Sequence, residues 1–125
     1  MAVDGSEQAN KAIEYAVQLC KHFEEAKMTL LHVEESKLFK LTPEVTEKVG
    51  EQILNEAANM VSGIAYDKRL EFGNPSRTIL KVAKQNDYDL IVLGSRGISN
   101  IKRFLLGSVS VEVSMYSQRS VLIVR

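Results

Sequence analysis

Hydrophobic and polar positions follow two different periods along this chain. Ala9, Ala12, Ile13, Ala16, Val17, Cys20 and Phe23 recur at three- and four-residue steps, the stripe of an amphipathic helix. Asp4-Gly5-Ser6 ahead of it reads as a turn, with Ser6 placed as the helix cap. Residues 28–33 (MTLLHV) form an apolar run of strand length, the pattern of a strand covered by helices on both faces. Pro43 opens a second helix, whose apolar stripe is expected at Val45, Val49, Ile53, Ala57, Met60 and Ile64. Residues 65–72 alternate weakly and read as a strand. Gly73-Asn74-Pro75 then starts a third helix, with Asn74 as cap and Pro75 at the first helical position, and with Ile79, Val82 and Ala83 facing inward. Residues 88–93 (YDLIVL) and 120–124 (SVLIV) are buried strands.

The stretch between the last two strands is ambiguous. Val109, Val111, Val113 and Met115 alternate like a strand, while Val109, Val113 and Tyr116 share one helical face. Periodicity slightly favours the strand. Context favours the helix, because every other connection is a strand–helix–strand crossover, and the helix is the reading taken. With residues 1–3 as a short opening strand, the order is strand and helix in strict alternation. Such a chain builds an α/β domain with a parallel sheet and right-handed crossovers. The 125 residues amount to a single domain, residues 1–125. Ligands of this architecture bind beyond the carboxyl ends of the strands, so the residues to inspect are Asp4, residues 33–35, Gly73 and Gly94 onward.

Composition narrows the class. Apolar residues make up 45% and charged residues 26%, ordinary values for a globular protein, so disorder and collagen-like structure are excluded. Sixteen basic side chains balance 16 acidic ones, which argues against nucleic acid as the main partner. Cys20 is the only cysteine, so an intramolecular disulfide and a cysteine-based zinc site are excluded, and the residue reads as a buried hydrophobe. No apolar run reaches 18 residues and the first residues are acidic and polar, so neither a membrane span nor a signal peptide is expected, and the cytoplasm is the default compartment. His22 and His32 have no nucleophile or metal-ligand partner at recognisable spacing and read as structural.

Chemistry concentrates in Gly94-Ser95-Arg96-Gly97, followed by nine residues and then Gly107-Ser108. Gly94 and Gly97 follow a buried strand and allow the backbone to turn and to approach a ligand closely. Gly107 and Ser108 open a helix, where free amides and the helix dipole attract anions. The connection is longer than the roughly two to six residues usual for such loops, and long loops of this kind are commonly functional. Ile98, Ile101, Phe104, Leu105 and Leu106 supply apolar anchors, and Lys102 and Arg103 add positive charge beside Arg96. Together these features favour an anion or phosphate site.

GSRGISNIKRFLLGSVS resembles the signature of the universal stress protein family, in particular its ATP-binding branch, with the pattern G-x2-G-x9-G-[ST] met at Gly94, Gly97, Gly107 and Ser108. The opening AVDGS, the LLHV run at residues 30–33, Gly73-Asn74-Pro75 and the closing strand resemble the family along essentially the whole chain. The resemblance implies a three-layer α/β/α sandwich of the Rossmann-like, adenine-nucleotide-binding kind, with a five-stranded parallel sheet in the order 3-2-1-4-5. It implies ATP as ligand, AMP or ADP being alternatives, with Mg²⁺ or Mn²⁺ accompanying the phosphates. Asp4 would contact ribose or adenine, Ala2 and Val3 would wall the adenine, and Val33 would offer backbone groups to its edge. Gly94 would lie beside the ribose. Gly97, Gly107, Ser108, Val109 and Ser110 would surround the phosphates, with Leu93 and Arg96 as outer members. The family also has a longer opening strand and a longer stretch corresponding to residues 33–43 than this sequence shows.

The closing strand, Val121-Leu122-Ile123-Val124, invites pairing at a sheet edge, and the family forms homodimers through it, so a homodimer is expected. A Walker A loop is absent, Asp4-Gly5-Ser6-Glu7 is too acidic for a flavin phosphate loop, and Gly73 and Arg125 stand where a receiver domain needs aspartate and lysine. Three functions remain. The first is a nucleotide-responsive stress or signalling module. The second is a slow or partner-activated ATPase, for which no candidate base stands out. The third is a dimeric structural module with a vestigial pocket.

Overall fold

A computed structural model describes residues 1–35, 42–98 and 106–125. Three of its helices begin where a short polar side chain meets the free amides of the first turn. Ser6 Oγ accepts from the Ala9 amide at 3.1 Å at the head of α1 (Glu7–Cys20). Thr42 Oγ1 accepts from the Val45 amide at 3.4 Å ahead of α2 (Pro43–Ala58). Asn74 Oδ1 accepts from the Arg77 amide at 3.1 Å ahead of α3 (Pro75–Gln85). The fourth helix, α4 (Ser108–Tyr116), has Gly107 at the cap and no side-chain cap bond. Its helical state follows the crossover context rather than the alternating valines. The strands are β1 (Lys27–Glu34), β2 (Ala65–Phe72), β3 (Leu90–Gly94) and β4 (Ser120–Val124).

The sheet differs from the expected five-stranded 3-2-1-4-5 arrangement. β1 pairs with β2 in parallel, Lys27 opposite Ala65 through Glu34 opposite Phe72. β3 pairs with β4 in parallel, Leu90 opposite Ser120 through Gly94 opposite Val124. These are two separate two-stranded sheets. The opening strand is reduced to a single bridge, Ala2 opposite Leu31. Length is the physical reason, because three residues are too few for a ladder on either side. The segment nevertheless bonds to both sheets. The Leu31 amide donates to the Met1 carbonyl at 2.8 Å, the Val3 amide to the Leu31 carbonyl at 2.9 Å, and the Ala2 amide to the Val92 carbonyl at 2.9 Å.

Alternate strand residues feed two cores. Leu30 and Val92 join Ala12, Ile13, Ala16 and Val17 of α1 and Leu54 and Ala57 of α2. Leu31, Ile91 and Leu93 join Ile79, Val82 and Ala83 of α3 and Val113 of α4. Helices therefore cover both faces. Ile13, Leu30 and Val113 are fully buried, and such side chains each contribute about 1.5–3 kcal/mol relative to exposure.

The expected stripes of the first two helices hold except at Val45, Val49 and Phe23. In α2 the buried residues are Thr46, Gly50, Leu54 and Ala57, while Val45 and Val49 are 43% and 42% exposed. The inward face is chosen by close approach, since a Cβ on Gly50 would lie 2.6 Å from Leu70 Cδ1. Phe23 is 62% exposed, because α1 ends at Cys20 and the following turn carries the ring away from the helix face.

Candidate functional site

Asp4 follows the N-terminal segment and closes a local turn, its Oδ1 accepting from the Ser6 amide at 2.9 Å. Gly5 within that turn has φ +80°, a conformation that favours glycine. The other carboxylate oxygen, Oδ2, faces Gly97, where an added Cβ would lie only 2.7 Å from it. Gly97 is not in the left-handed region, so its missing side chain matters for space alone. Gly107 completes the cluster. Its amide donates to the Ser95 carbonyl at 2.7 Å, and a Cβ there would meet Arg96 Cα at 3.4 Å and Gly97 N at 3.7 Å. The carboxyl end of β3, the turn before α1 and the start of α4 thus converge on one place.

The start of α4 is the electropositive part of that place. The amides of Ser108, Val109 and Ser110 have no intrahelical acceptor, and among the described residues no side chain caps them. Ser108 is exposed, and Val109 is half-buried against the second core. Ser110 is different, being 2% exposed with its hydroxyl donating to the Gly94 carbonyl at 2.7 Å. Gly94 packs on the first turn of α1, where a Cβ would stand 2.8 Å from the Gln8 carbonyl carbon and 2.9 Å from the Ala9 nitrogen. Leu93 is 4% exposed and lies in the second core.

Val33 contributes backbone. A strand directs the N–H and C=O of successive residues to opposite neighbours. Leu31 bonds to the N-terminal segment and the Glu34 carbonyl to Gly73 beyond β2, so the polar backbone groups of Val33 face the N-terminal segment. That segment makes its last backbone bond to β1 at Val3. Among the described residues, nothing pairs with the Val33 amide and carbonyl, which leaves a donor and an acceptor side by side at the end of β1.

The sequence matches the profile of the universal stress protein family over residues 1–125. The chain belongs to the universal stress protein family. It is 36% identical to universal stress protein YxiE of Bacillus subtilis (strain 168) over 144 aligned positions, covering 100% of this chain and 96% of the relative. Those 144 positions exceed the 125 residues here by 19, so the relative carries residues inside the matched span that this chain lacks. A universal stress protein crystallised in complex with cAMP superposes with TM-score 0.80 and 26% identity, covering 100% of this chain and 94% of that one. The structure of the universal stress protein from Archaeoglobus fulgidus in complex with dAMP shares the fold, with TM-score 0.75, 20% identity and coverage of 99% and 94%.

In this universal stress protein, Asp4, Arg96, Gly97 and Gly107 are neighbours, and Ser108 and Val109 follow on the same helix end. Ala2 and Val3 sit in the segment between the sheets, and Val3 is buried. Gly94, Leu93 and the Ser110 hydroxyl are engaged in packing and internal hydrogen bonds. Ile98 is exposed, and Ile101, Lys102, Arg103, Phe104 and Leu105 lie outside the described residues. Sequence reasoning set His32 aside, yet its ring touches the Val3 carbonyl at 2.8 Å. The signal was its place one residue before Val33. Burial pushes the Cys20 thiol up from 9.0, which suits an inert side chain. Among the described residues, no cluster of three His, Cys, Asp or Glu could hold a metal, and no helix is long and apolar enough to cross a membrane.

Proposed function

We propose that this chain is a nucleotide-responsive stress or signalling module that binds ATP between Asp4, the edge of Val33, Gly97 and the start of α4. The observation that carries the reading is the empty position at Gly97, which lets the Asp4 carboxylate approach the backbone at a residue that neighbours Gly107, the cap of α4. The amides of Ser108, Val109 and Ser110 and the Ser108 hydroxyl suit phosphate oxygens. The Val33 amide and carbonyl, unpaired among the described residues, suit the donor and acceptor edge of adenine, and the Asp4 carboxylate suits a ribose hydroxyl. The cAMP and dAMP complexes of related proteins support the adenine nucleotide class. Mg²⁺ or Mn²⁺ would travel with the phosphates rather than occupy a protein cage.

The residues supply binding groups, whereas hydrolysis also requires an oriented water. Asp4 already holds the Ser6 amide, so turnover is expected to be slow. The internal roles of Gly94, Gly107 and Ser110 favour a second reading, a structural module in which most of the glycine motif serves packing. The side of β4 that pairs with no strand among the described residues supports a homodimer through residues 121–124. The cytoplasm is the compartment assigned with this reading.

Calorimetric titration with ATP and Mg²⁺, with released phosphate followed in the same sample and GTP and cAMP as comparators, tests the proposal. Saturable ATP binding with little phosphate release is expected. No binding at millimolar ATP refutes the nucleotide reading and leaves the structural module.

A further inference from the structure

His32 is 6% exposed, and both ring nitrogens are engaged. Nδ1 lies 2.8 Å from the Val3 carbonyl oxygen, and Nε2 lies 2.8 Å from Glu34 Oε2. A carbonyl only accepts, so Nδ1 carries the hydrogen and donates it. Nε2 faces the Glu34 carboxylate at the second contact.

The place of this ring in the backbone ladder gives it a role. The Leu31 amide bonds to Met1, and the Val3 amide bonds back to Leu31. The next rung of a regular parallel ladder would run from the Val33 amide to the Val3 carbonyl. The His32 ring takes that carbonyl instead. This fixes the Val3–Asp4 peptide plane, which sets the direction in which Asp4 leaves the sheet. It also leaves the Val33 amide without a partner among the described residues. Glu34 steadies the ring from its far side. Gly50 of α2 makes room for it, since a Cβ there would lie 3.2 Å from His32 Cδ2.

We infer that His32 is a positioning residue for the nucleotide site, holding the Val3 carbonyl away from Val33 so that the Val33 amide and the Asp4 carboxylate are both presented to ligand. The inference rests on the nucleotide reading above. Without the ring, the carbonyl is free to close the missing rung and to occupy the amide that adenine would use.

Two near-isosteric substitutions separate positioning from bulk stability. His32→Asn keeps a donor where Nδ1 stands and gives up the Glu34 contact. His32→Gln keeps a donor where Nε2 stands and gives up the Val3 carbonyl. Each removes one ring hydrogen bond, so a merely structural role lowers ATP affinity equally in both. Positioning predicts that His32→Asn binds ATP like the wild type while His32→Gln binds about tenfold more weakly, the size of one hydrogen bond. Long-range proton–nitrogen spectra of the wild type add a readout that requires no variant to fold, and they should show a protonated Nδ1 at His32. Equal ATP affinities of the two variants, or an unprotonated Nδ1, overturn the inference while wild-type binding sustains the proposed function. A wild type that binds no ATP overturns the proposed function and this inference with it.

Discussion

Replacing Gly97 by alanine adds one methyl group at a place where the backbone conformation tolerates any residue. That methyl carbon would stand 2.7 Å from Asp4 Oδ2, so one group must give way by about 0.7 Å to reach ordinary contact. The carboxylate is the softer partner, held locally by one hydrogen bond from the Ser6 amide. Disturbing that bond costs about 0.5–1.5 kcal/mol of stability. The larger effect falls on binding. If the carboxylate accepts a ribose hydroxyl, its displacement removes a charged hydrogen bond of about 1.5–3 kcal/mol, about ten- to 150-fold in Kd. The assay is ATP calorimetry on the wild type, Gly97→Ala, Asp4→Ala and the double variant, with urea unfolding of each. Both single variants should bind weakly. The double variant should bind about as weakly as Asp4→Ala alone, because the methyl acts only through the carboxylate. Wild-type affinity in Gly97→Ala, or losses that simply add, would refute the reasoning.

Three further outcomes follow from the same geometry. Gly94→Ala forces a methyl against the Gln8 and Ala9 backbone and should destabilise the fold by about 3 kcal/mol, read as a lower urea midpoint. Ser110→Ala removes the bond to the Gly94 carbonyl and should lower stability by about 1–2 kcal/mol with ATP affinity kept, whereas Ser108→Ala should weaken ATP binding with stability kept. In a polypeptide that begins at Met1, the α-ammonium donates to the Thr29 carbonyl at 3.0 Å, and burial lowers its pKa from 8.0 to about 6. The unfolded chain then binds this proton more tightly between those values. Stability should therefore rise by about 2 kcal/mol from pH 6 to pH 8, and acetylating the amine should flatten that slope in urea titrations.

The four helices and the four later strands were legible because each carries a local signal. Ser6 and Asn74 cap where their side chains meet free amides, and the LLHV and DLIVL runs have buried alternate faces. The face of α2 was legible only in part. Ala57 lies inward as its place in the stripe indicates, but Thr46 and Gly50 carry no hydrophobic signal, and their inward placement depends on His32 and Leu70 from distant strands. Val45 and Val49 carried the stronger signal and lie outward. The split sheet was also hidden, because only the pairing shows that residues 1–3 bridge both halves without forming a ladder of their own. The glycine motif was visible as a motif, but its division of labour was not. Gly97 faces Asp4, whereas Gly94 makes room for α1 and Gly107 ties back to Ser95.

The most direct test of the central claim is a map of backbone amide shifts as ATP and Mg²⁺ are added to the isotope-labelled protein. The amides of Val33, Gly97, Ser108, Val109 and Ser110 should move together and saturate at one affinity, while those of Glu51 and Asn55 on α2 stay still. Shifts that never appear, or that gather away from the start of α4, would contradict it.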